Sequence, residues 1–389
     1  MILGLQPAGL ALARSLGRRG VRVVGVTLDR ADFGLSSRYV RDRHLVLEPD
    51  RQAAARLILE TLRKAAAGGP IVVIPERDAH VDFVLRNWQE VRSLAALPLP
   101  DDPAAIEALR NKGTLAEAAA GAGLAVPRTV SVDSEEALRN CPLAFPFLLK
   151  PLESERYAAA FSEKVVVAED PDQGAAAWRK AREAGFALLA QELVPDSTDH
   201  ILSLFTFVGR SGAPLASVVG RKVRQGPPGF GASTVFAVEP DQEVLEAGLR
   251  LLASVGYRGF AHVELVRDPR DRALKLLEVN TRLPVWAGVA MSRYYDLAPV
   301  AYADLCGEPA EPLAPFQERV TWTYLAKDAV TVARLARRGR LDVRSLARPY
   351  TQRHVSAVTA RDDLRPVAAM LRWGLGRAVG KLAAARRSP

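Results

Sequence analysis

The sequence predicts an α/β (α+β) protein, and three observations carry that expectation. The chain opens with an alternation of strand, turn, helix and strand, the signature of a small parallel unit. Pro98, Pro100 and Pro103 then mark a linker. Beyond it, two apolar strands flank the short polar turn RDPRDRA, as in an antiparallel hairpin. At 389 residues the chain exceeds one compact core, and 49% hydrophobic with 25% charged residues is a globular balance. No apolar run reaches the roughly eighteen residues that span a bilayer.

In order, MILGL reads as a buried strand, QPAG as a turn, LALARSLGRRG as a helix closed by Gly20, and VRVVGVTLD as a second strand. Ala11-Leu12-Ala13 mimics a signal-peptide cleavage site. Without a basic n-region, and interrupted by Pro7 and Gly9, the stretch is better read as strand and turn. Gly4 and Gly9 lack a following GK[ST], so a structural turn is favoured over a phosphate loop. A helix near 51–67, the break Gly68-Gly69-Pro70 and the strand IVVIP complete a domain over 1–100. Cys141 and Cys306 stand in no metal or redox spacing and read as buried thiols of a reducing compartment, so a cytoplasmic location is expected.

A central part over 101–310 begins with a helix carrying Asn111-Lys112 and continues through strands to about residue 220. A helix from Asp241 leads into FAHVELV and LKLLEVN. The last part, 311–389, reads as a mostly helical, basic extension. Net charge is +9, with Arg334, Arg337, Arg338, Arg340, Arg344 and Arg348 clustered there; no nucleic-acid motif accompanies them, so no nucleic-acid partner is expected. Leu364, Val367, Ala368, Leu371, Leu375, Val379 and Leu382 recur at helical spacing beside Arg365, Arg372, Arg377 and Lys381. Such a helix packs on its own domain or a second subunit in a homodimer, or lies on an anionic membrane surface.

The hairpin carries the chemistry. Alternation puts Phe260, His262, Glu264 and Val266 on one face, and Leu276, Glu278 and Asn280 on one face of the second strand. Glu264, Glu278 and Asn280 can converge. Two carboxylates about 4 Å apart repel by roughly 4 kcal/mol at an effective dielectric near 20. A hard cation with oxygen ligands relieves this, and Mg²⁺ typically takes one or two carboxylates plus substrate phosphates. Surface pairing with Arg267, Arg270 or Lys275 is the plainer alternative.

The ending Glu278-Val279-Asn280-Thr281-Arg282 resembles the metal-binding end of ATP-grasp enzymes, and the middle of the chain resembles their carboxylate–amine ligases. The likeness covers roughly residues 1–310, with an ATP lobe at about 101–190 and a metal and phosphate lobe at about 191–310. The resemblance implies ATP and one or two Mg²⁺ ions, for which Mn²⁺ can stand in. It implies Lys112 and Lys150 as ATP-binding lysines; independently, Lys150 closes the apolar strand FPFLLK, where an ammonium can meet a phosphate. It implies Gln191, Glu192, Leu193 and Val194 as the segment that reads adenine, and Asp199 or His200 at ribose. The resemblance also implies that the basic strand carrying Lys222 and Arg224, ahead of the Gly/Pro-rich stretch 225–231, faces phosphate and substrate carboxylate. Arg282 is assigned to the phosphoryl group in flight. The stretch 152–160 departs from the family, whose phosphate loop is rich in glycine; Ser154 is its remaining phosphate candidate.

The resemblance implies phosphoryl transfer to a small-molecule carboxylate, then attack of a small-molecule amine on the acyl phosphate, giving an amide, ADP and phosphate. Two alternatives stand beside it: a bicarbonate-dependent carboxylase of the same superfamily, and a nucleotide-binding module without catalysis at a membrane surface.

Overall fold

The computed structural model describes residues 1–195, 200–337, 339 and 346–374, without the side chains of Lys112, Ser154, Glu155 and Arg348. Four parallel strands, β1 (Ile2–Leu3), β2 (Val23–Thr27), β3 (Val40–Leu45) and β4 (Ile74–Pro75), form the first sheet in the order β3-β2-β1-β4. The sequence pattern marks β1, β2 and β4 because their residues are buried, and buried parallel strands read as continuous apolar runs. It misses β3, an edge strand VRDRHL whose alternating burial hides among charged residues. The helix Pro7–Arg18 starts with Pro7 in its first turn, as a proline's missing N–H allows, and buries Leu10, Leu12 and Leu16.

The second sheet is antiparallel and made of β5 (Thr129–Val132), β6 (Phe147–Pro151), β7 (Val166–Ala168) and β8 (Leu188–Glu192), ordered β5-β8-β6-β7. Three helices interleave with these strands, so this stretch is not the plain run of strands its sequence suggested. One of them, Ser154–Phe161, occupies the segment expected as a phosphate loop. The run Ala158-Ala159-Ala160 favours helix, and the Tyr157 ring is buried against Phe161 at 4.6 Å and Phe186 at 5.2 Å.

The third sheet has seven strands: β9 (Ile201–Val208), β10 (Pro214–Gly226), β11 (Ala232–Val238), β12 (Gly259–Arg267), β13 (Leu274–Asn280), β14 (Val320–Thr323) and β15 (Arg353–Ser356). Their order is β13-β12-β9-β10-β11-β14-β15. The segment 311–389 is therefore more than a helical extension, since it supplies β14 and β15 to the edge of this sheet. Both strands are only four residues long, too short for alternation to mark them in the sequence.

One apolar core joins the first sheet to the third. Ile2, Leu10 and Phe33 belong to the same buried cluster as Phe205, Phe236 and Trp322, and the Trp286 indole lies flat on Phe236 at 3.6 Å. In the C-terminal helix, Val367, Ala369 and Met370 pack on this core while Leu364 and Leu371 are 58% and 57% exposed. The expected apolar stripe thus splits between two faces. Its further members Leu375, Val379 and Leu382, with Arg377 and Lys381, lie outside the described residues. Among the described residues no helix is long and apolar enough to cross a membrane. Cys306 is exposed and Cys141 half-buried, both free, unlike the buried thiols expected.

Candidate active site

A cavity of about 230 Å³ lies between the second and third sheets, with Lys150, Gln191 and Glu192 on one wall and Lys222, Glu264 and Glu278 on the other. β12 and β13 are antiparallel, as expected, and Glu264 stands opposite Glu278 with His262 opposite Asn280. Directly opposed residues of an antiparallel pair project to one face. The ladder shifts register after Glu264, so Leu276 pairs with Leu265 in the core instead of sharing the cleft face with Glu278.

The two carboxylates sit in unlike surroundings. Glu264 is buried and pairs with Lys222, Oε1 to Nζ 2.9 Å. Burial, with the negative charge of Glu278, raises its pKa above the ordinary carboxylate value despite Lys222 and Lys164. Glu278 is exposed to the cleft, whose wall it helps to form. Its surroundings would raise its pKa by desolvation, but Lys222, Lys150, a hydrogen bond from Asn280 Nδ2 (3.0 Å) and Lys164 bring it down to about 2. The repulsion expected between the acids is met here by lysines.

Lys150, at the end of β6, donates from Nζ to Gln191 Oε1 at 3.0 Å; desolvation holds its pKa below the usual lysine value against the pull of Glu278 and Glu264. Gln191 Nε2 in turn donates to Thr129 Oγ1 at 2.9 Å. The Glu192 carboxylate accepts from the Arg128 N–H at 3.2 Å and pairs with Arg270 and Lys275, so it is engaged within the protein. Val194 is buried and lines the cavity, while Leu193 is half-buried. His200 is exposed, next to the cavity-lining Ile201; Asp199 lies outside the described residues. Lys112 opens the helix Lys112–Gly121 and Ser154 the helix Ser154–Phe161, and neither side chain is among those described.

Arg282 reaches the cavity wall, where Nε and Nη2 grip Asp78 at 2.8 and 2.6 Å and Nη2 also donates to Asn280 Oδ1 at 3.1 Å. Asp78 begins the helix Asp78–Arg86 of the first unit, so that unit touches the site directly. Lys222 and Arg224 do not share a destination. A register shift in β10 separates them, and Arg224 turns from the cavity to make a bidentate pair with buried Asp328 at 2.8–3.2 Å. The next residue, Gln225, lines the cavity with Gly229, Phe230 and Gly231. A Cβ on Gly231 would lie 2.1 Å from the Gly226 carbonyl carbon, so the closeness of this loop demands glycine there.

Sequence reasoning missed Asp78 and gave no role to His262, two residues before Glu264. His262 is buried, and burial beside Lys222 holds its pKa well below the ordinary value, so the ring is neutral. Its Nε2 lies 3.4 Å from Glu264 Oε1 and has no hydrogen-bond partner among the described residues. Nothing local in the sequence marks Asp78, whose role depends on a contact 204 positions away.

Glu264, Glu278 and Asn280 offer oxygen donors suited to a hard cation. Among the described residues no group of three or more His, Cys, Asp or Glu could enclose a metal by itself. A cation held here would complete its shell with substrate phosphate oxygens, as Mg²⁺ usually does.

No family model matches the chain. A curated D-aspartate ligase from Enterococcus faecium is 25% identical over 218 residues, 53% of this chain and 51% of that protein. The matched stretch thus spans about half the relative's length. Among solved structures, N5-carboxyaminoimidazole ribonucleotide synthetase from Thermus thermophilus superposes with a TM-score of 0.58 at 18% identity, over 81% of this chain and 80% of that one. An L-amino acid ligase from Bacillus licheniformis gives 0.57 at 19%, over 80% and 74%. A biotin carboxylase complex from Campylobacter jejuni gives 0.60 at 15%, over 79% and 71%.

Proposed function

From the ATP-grasp fold of this chain, we propose that it is an ADP-forming carboxylate–amine ligase working through an acyl phosphate. The observation that carries the proposal is the facing pair Glu264 and Glu278 with Asn280, Lys222, Lys150 and Arg282 around one cavity. The partial likeness to D-aspartate ligase and the fold shared with an L-amino acid ligase support an amino-acid substrate.

The roles follow from position. Lys150 and the 191–194 segment hold the nucleotide, with Lys112, Ser154 and His200 or Asp199 as further contacts. Glu264, Glu278 and Asn280 would hold Mg²⁺, which when bound neutralises phosphate charge and orients the γ-phosphoryl group. Lys222 and Arg282 stabilise the charge that spreads over the transferred phosphoryl oxygens. A substrate carboxylate oxygen takes the phosphoryl group as the bond to ADP breaks; the amine then displaces phosphate and forms the amide. His262, neutral and buried, fixes the Glu264 side of the ladder. Phe230 and Trp286 line the cavity and keep water from the acyl phosphate.

ADP release over pooled acids and amines tests this directly. Turnover should require both pools, and the product should be an amide by mass. Turnover on bicarbonate alone would replace the ligase with a carboxylase. ATP binding without ADP release in any pool would leave a nucleotide-binding module.

A further inference from the structure

The C-terminal helix is fastened to the first unit beside that unit's outer strand. Asp363, just ahead of the helix over 365–374, is buried and pairs with Arg14 of the helix Pro7–Arg18 at 2.9 Å. It also accepts from Ser37 Oγ at 2.6 Å and from the Arg38 N–H at 3.1 Å. These bonds clamp the start of the helix to the corner that leads into β3. From β3, Arg43 Nη2 reaches back to the Ser37 carbonyl at 3.0 Å. The register puts Arg43 and Leu45 on the same side of the sheet, because they pair with Gly25 and Thr27 of β2. Val23 shares that face by alternation and is buried in one cluster with Leu12 and Leu16 of the Pro7–Arg18 helix.

This surface is basic, and its charge is not cancelled. Asp42, Asp362 and Asp363 are taken up by Arg22, Arg18 and Arg14. Six exposed arginines remain without a carboxylate partner among the described residues. Arg38 and Arg43 donate to the main-chain carbonyls of Asp362 at 3.2 Å and Ser37 at 3.0 Å. Arg41, Arg361, Arg365 and Arg372 make no ion pair or hydrogen bond among the described residues, and all stand in solvent. Past Gly374 the sequence adds Arg377, Lys381, Arg386 and Arg387 and no acid.

Apolar side chains stand among these charges. Leu364 and Leu371 are seven residues apart, two helical turns, and so are Arg365 and Arg372 beside them. Val367 and Met370 turn to the core, so the leucine and arginine face looks outward along the length of the helix. Leu45 on β3 is 43% exposed. A second copy of the chain on this face would set arginine against arginine. A nucleic acid would engage the arginines and leave the leucines in water. A lipid surface with anionic headgroups satisfies both, taking leucines at the boundary of the acyl chains and arginines on the phosphates.

We propose that this face, built from the C-terminal helix, the Arg38 corner and the outer positions of β3, docks on an anionic lipid bilayer. The protein would lie on the membrane without crossing it, and the proposal stands apart from the reaction proposed above.

Co-sedimentation of the full chain with vesicles tests the docking face. Vesicles of phosphatidylcholine and phosphatidylglycerol in equal parts should carry the chain down, and phosphatidylcholine alone should not. Arg365→Gln with Arg372→Gln should lower the partition coefficient about 25-fold, at about fivefold for each charge near an anionic surface. Leu371→Gln should lower it about tenfold with every charge in place, and Leu364→Gln should act likewise. All four side chains are exposed, so melting temperatures should stay near wild type. Equal binding to the two kinds of vesicle, or none to either, overturns the proposal. Binding that both leucine variants leave unchanged also overturns it and marks the face as a site for a soluble polyanion. A dimer in vesicle-free solution that Leu371→Gln dissociates overturns it in favour of a second copy.

Discussion

Glu278 and Glu264 face each other, yet their chemistry diverges. Glu278 is held ionised by surrounding lysines, so its charge is part of the resting site. Replacing it by Gln should cut ADP release by orders of magnitude, because the γ-phosphate loses its cation. The stability effect is set by the lysines and not by relief of repulsion between the acids. Its pKa, lowered to about 2, contributes stability above the unfolded value near 4.5 that is lost as pH falls through 2. Glu278→Gln should therefore lower stability at neutral pH, by on the order of 1 kcal/mol after screening by cleft water. Chemical denaturation with ADP assays on the same preparation checks both; unimpaired ADP release would take Glu278 out of the site. Glu76 behaves in the opposite sense. Burial, then Asp32, raises it to about 7, although Gly9 and Gln6 donate N–H groups to it. Its contribution is complete below about 4.5 and is lost as pH rises through 7, a change of about 3 kcal/mol. Buried His80, lowered by desolvation to about 4, runs the other way and loses stability as pH falls. The melting curve of wild type alone mixes the two. The gap between wild type and Glu76→Gln should instead shrink steadily from pH 5 to pH 8, and a constant gap would contradict it.

At the scale of elements, the strand β10 shows where alternation misleads. Period-two reading sends Lys222 and Arg224 to one face, but a bulge between them re-aims Arg224 at Asp328. Bulges depend on the partner strand, so the sequence of β10 alone carries no mark of this one. Asp328 is 1% exposed and also accepts from Thr234 Oγ1 at 2.7 Å and Tyr350 at 2.8 Å. It pins the helix Leu325–Arg337 to the large sheet. Asp328→Ala strands a buried guanidinium and should cost about 3–5 kcal/mol. The apolar double variant Arg224→Met with Asp328→Leu should recover most of that stability and retain ADP release within about tenfold. Recovered stability with turnover abolished would mean that Arg224 meets substrate. The hairpin was legible for the opposite reason: β12 and β13 are joined by a short turn, so their register follows from local pattern. The Ser154–Phe161 helix was hidden because expectation there came from a family loop, whereas Tyr157 and its alanines follow packing and propensity.

For the whole molecule, legibility fell with sequence separation. The parallel first unit and the facing acids could be read from runs, breaks and alternation. The Arg282–Asp78 grip and the β11–β14 pairing could not, since each joins segments far apart in the chain. Those contacts tie the first unit to Arg282 on the wall of the cleft and the last segment to the large sheet. The chemistry proposed for that cleft is tested most directly by isotope transfer. A substrate acid labelled with ¹⁸O in its carboxylate should deliver one label to inorganic phosphate for each amide formed, with ADP unlabelled. Label appearing in AMP, or amide formed with unlabelled phosphate, would contradict the acyl phosphate on which the account depends.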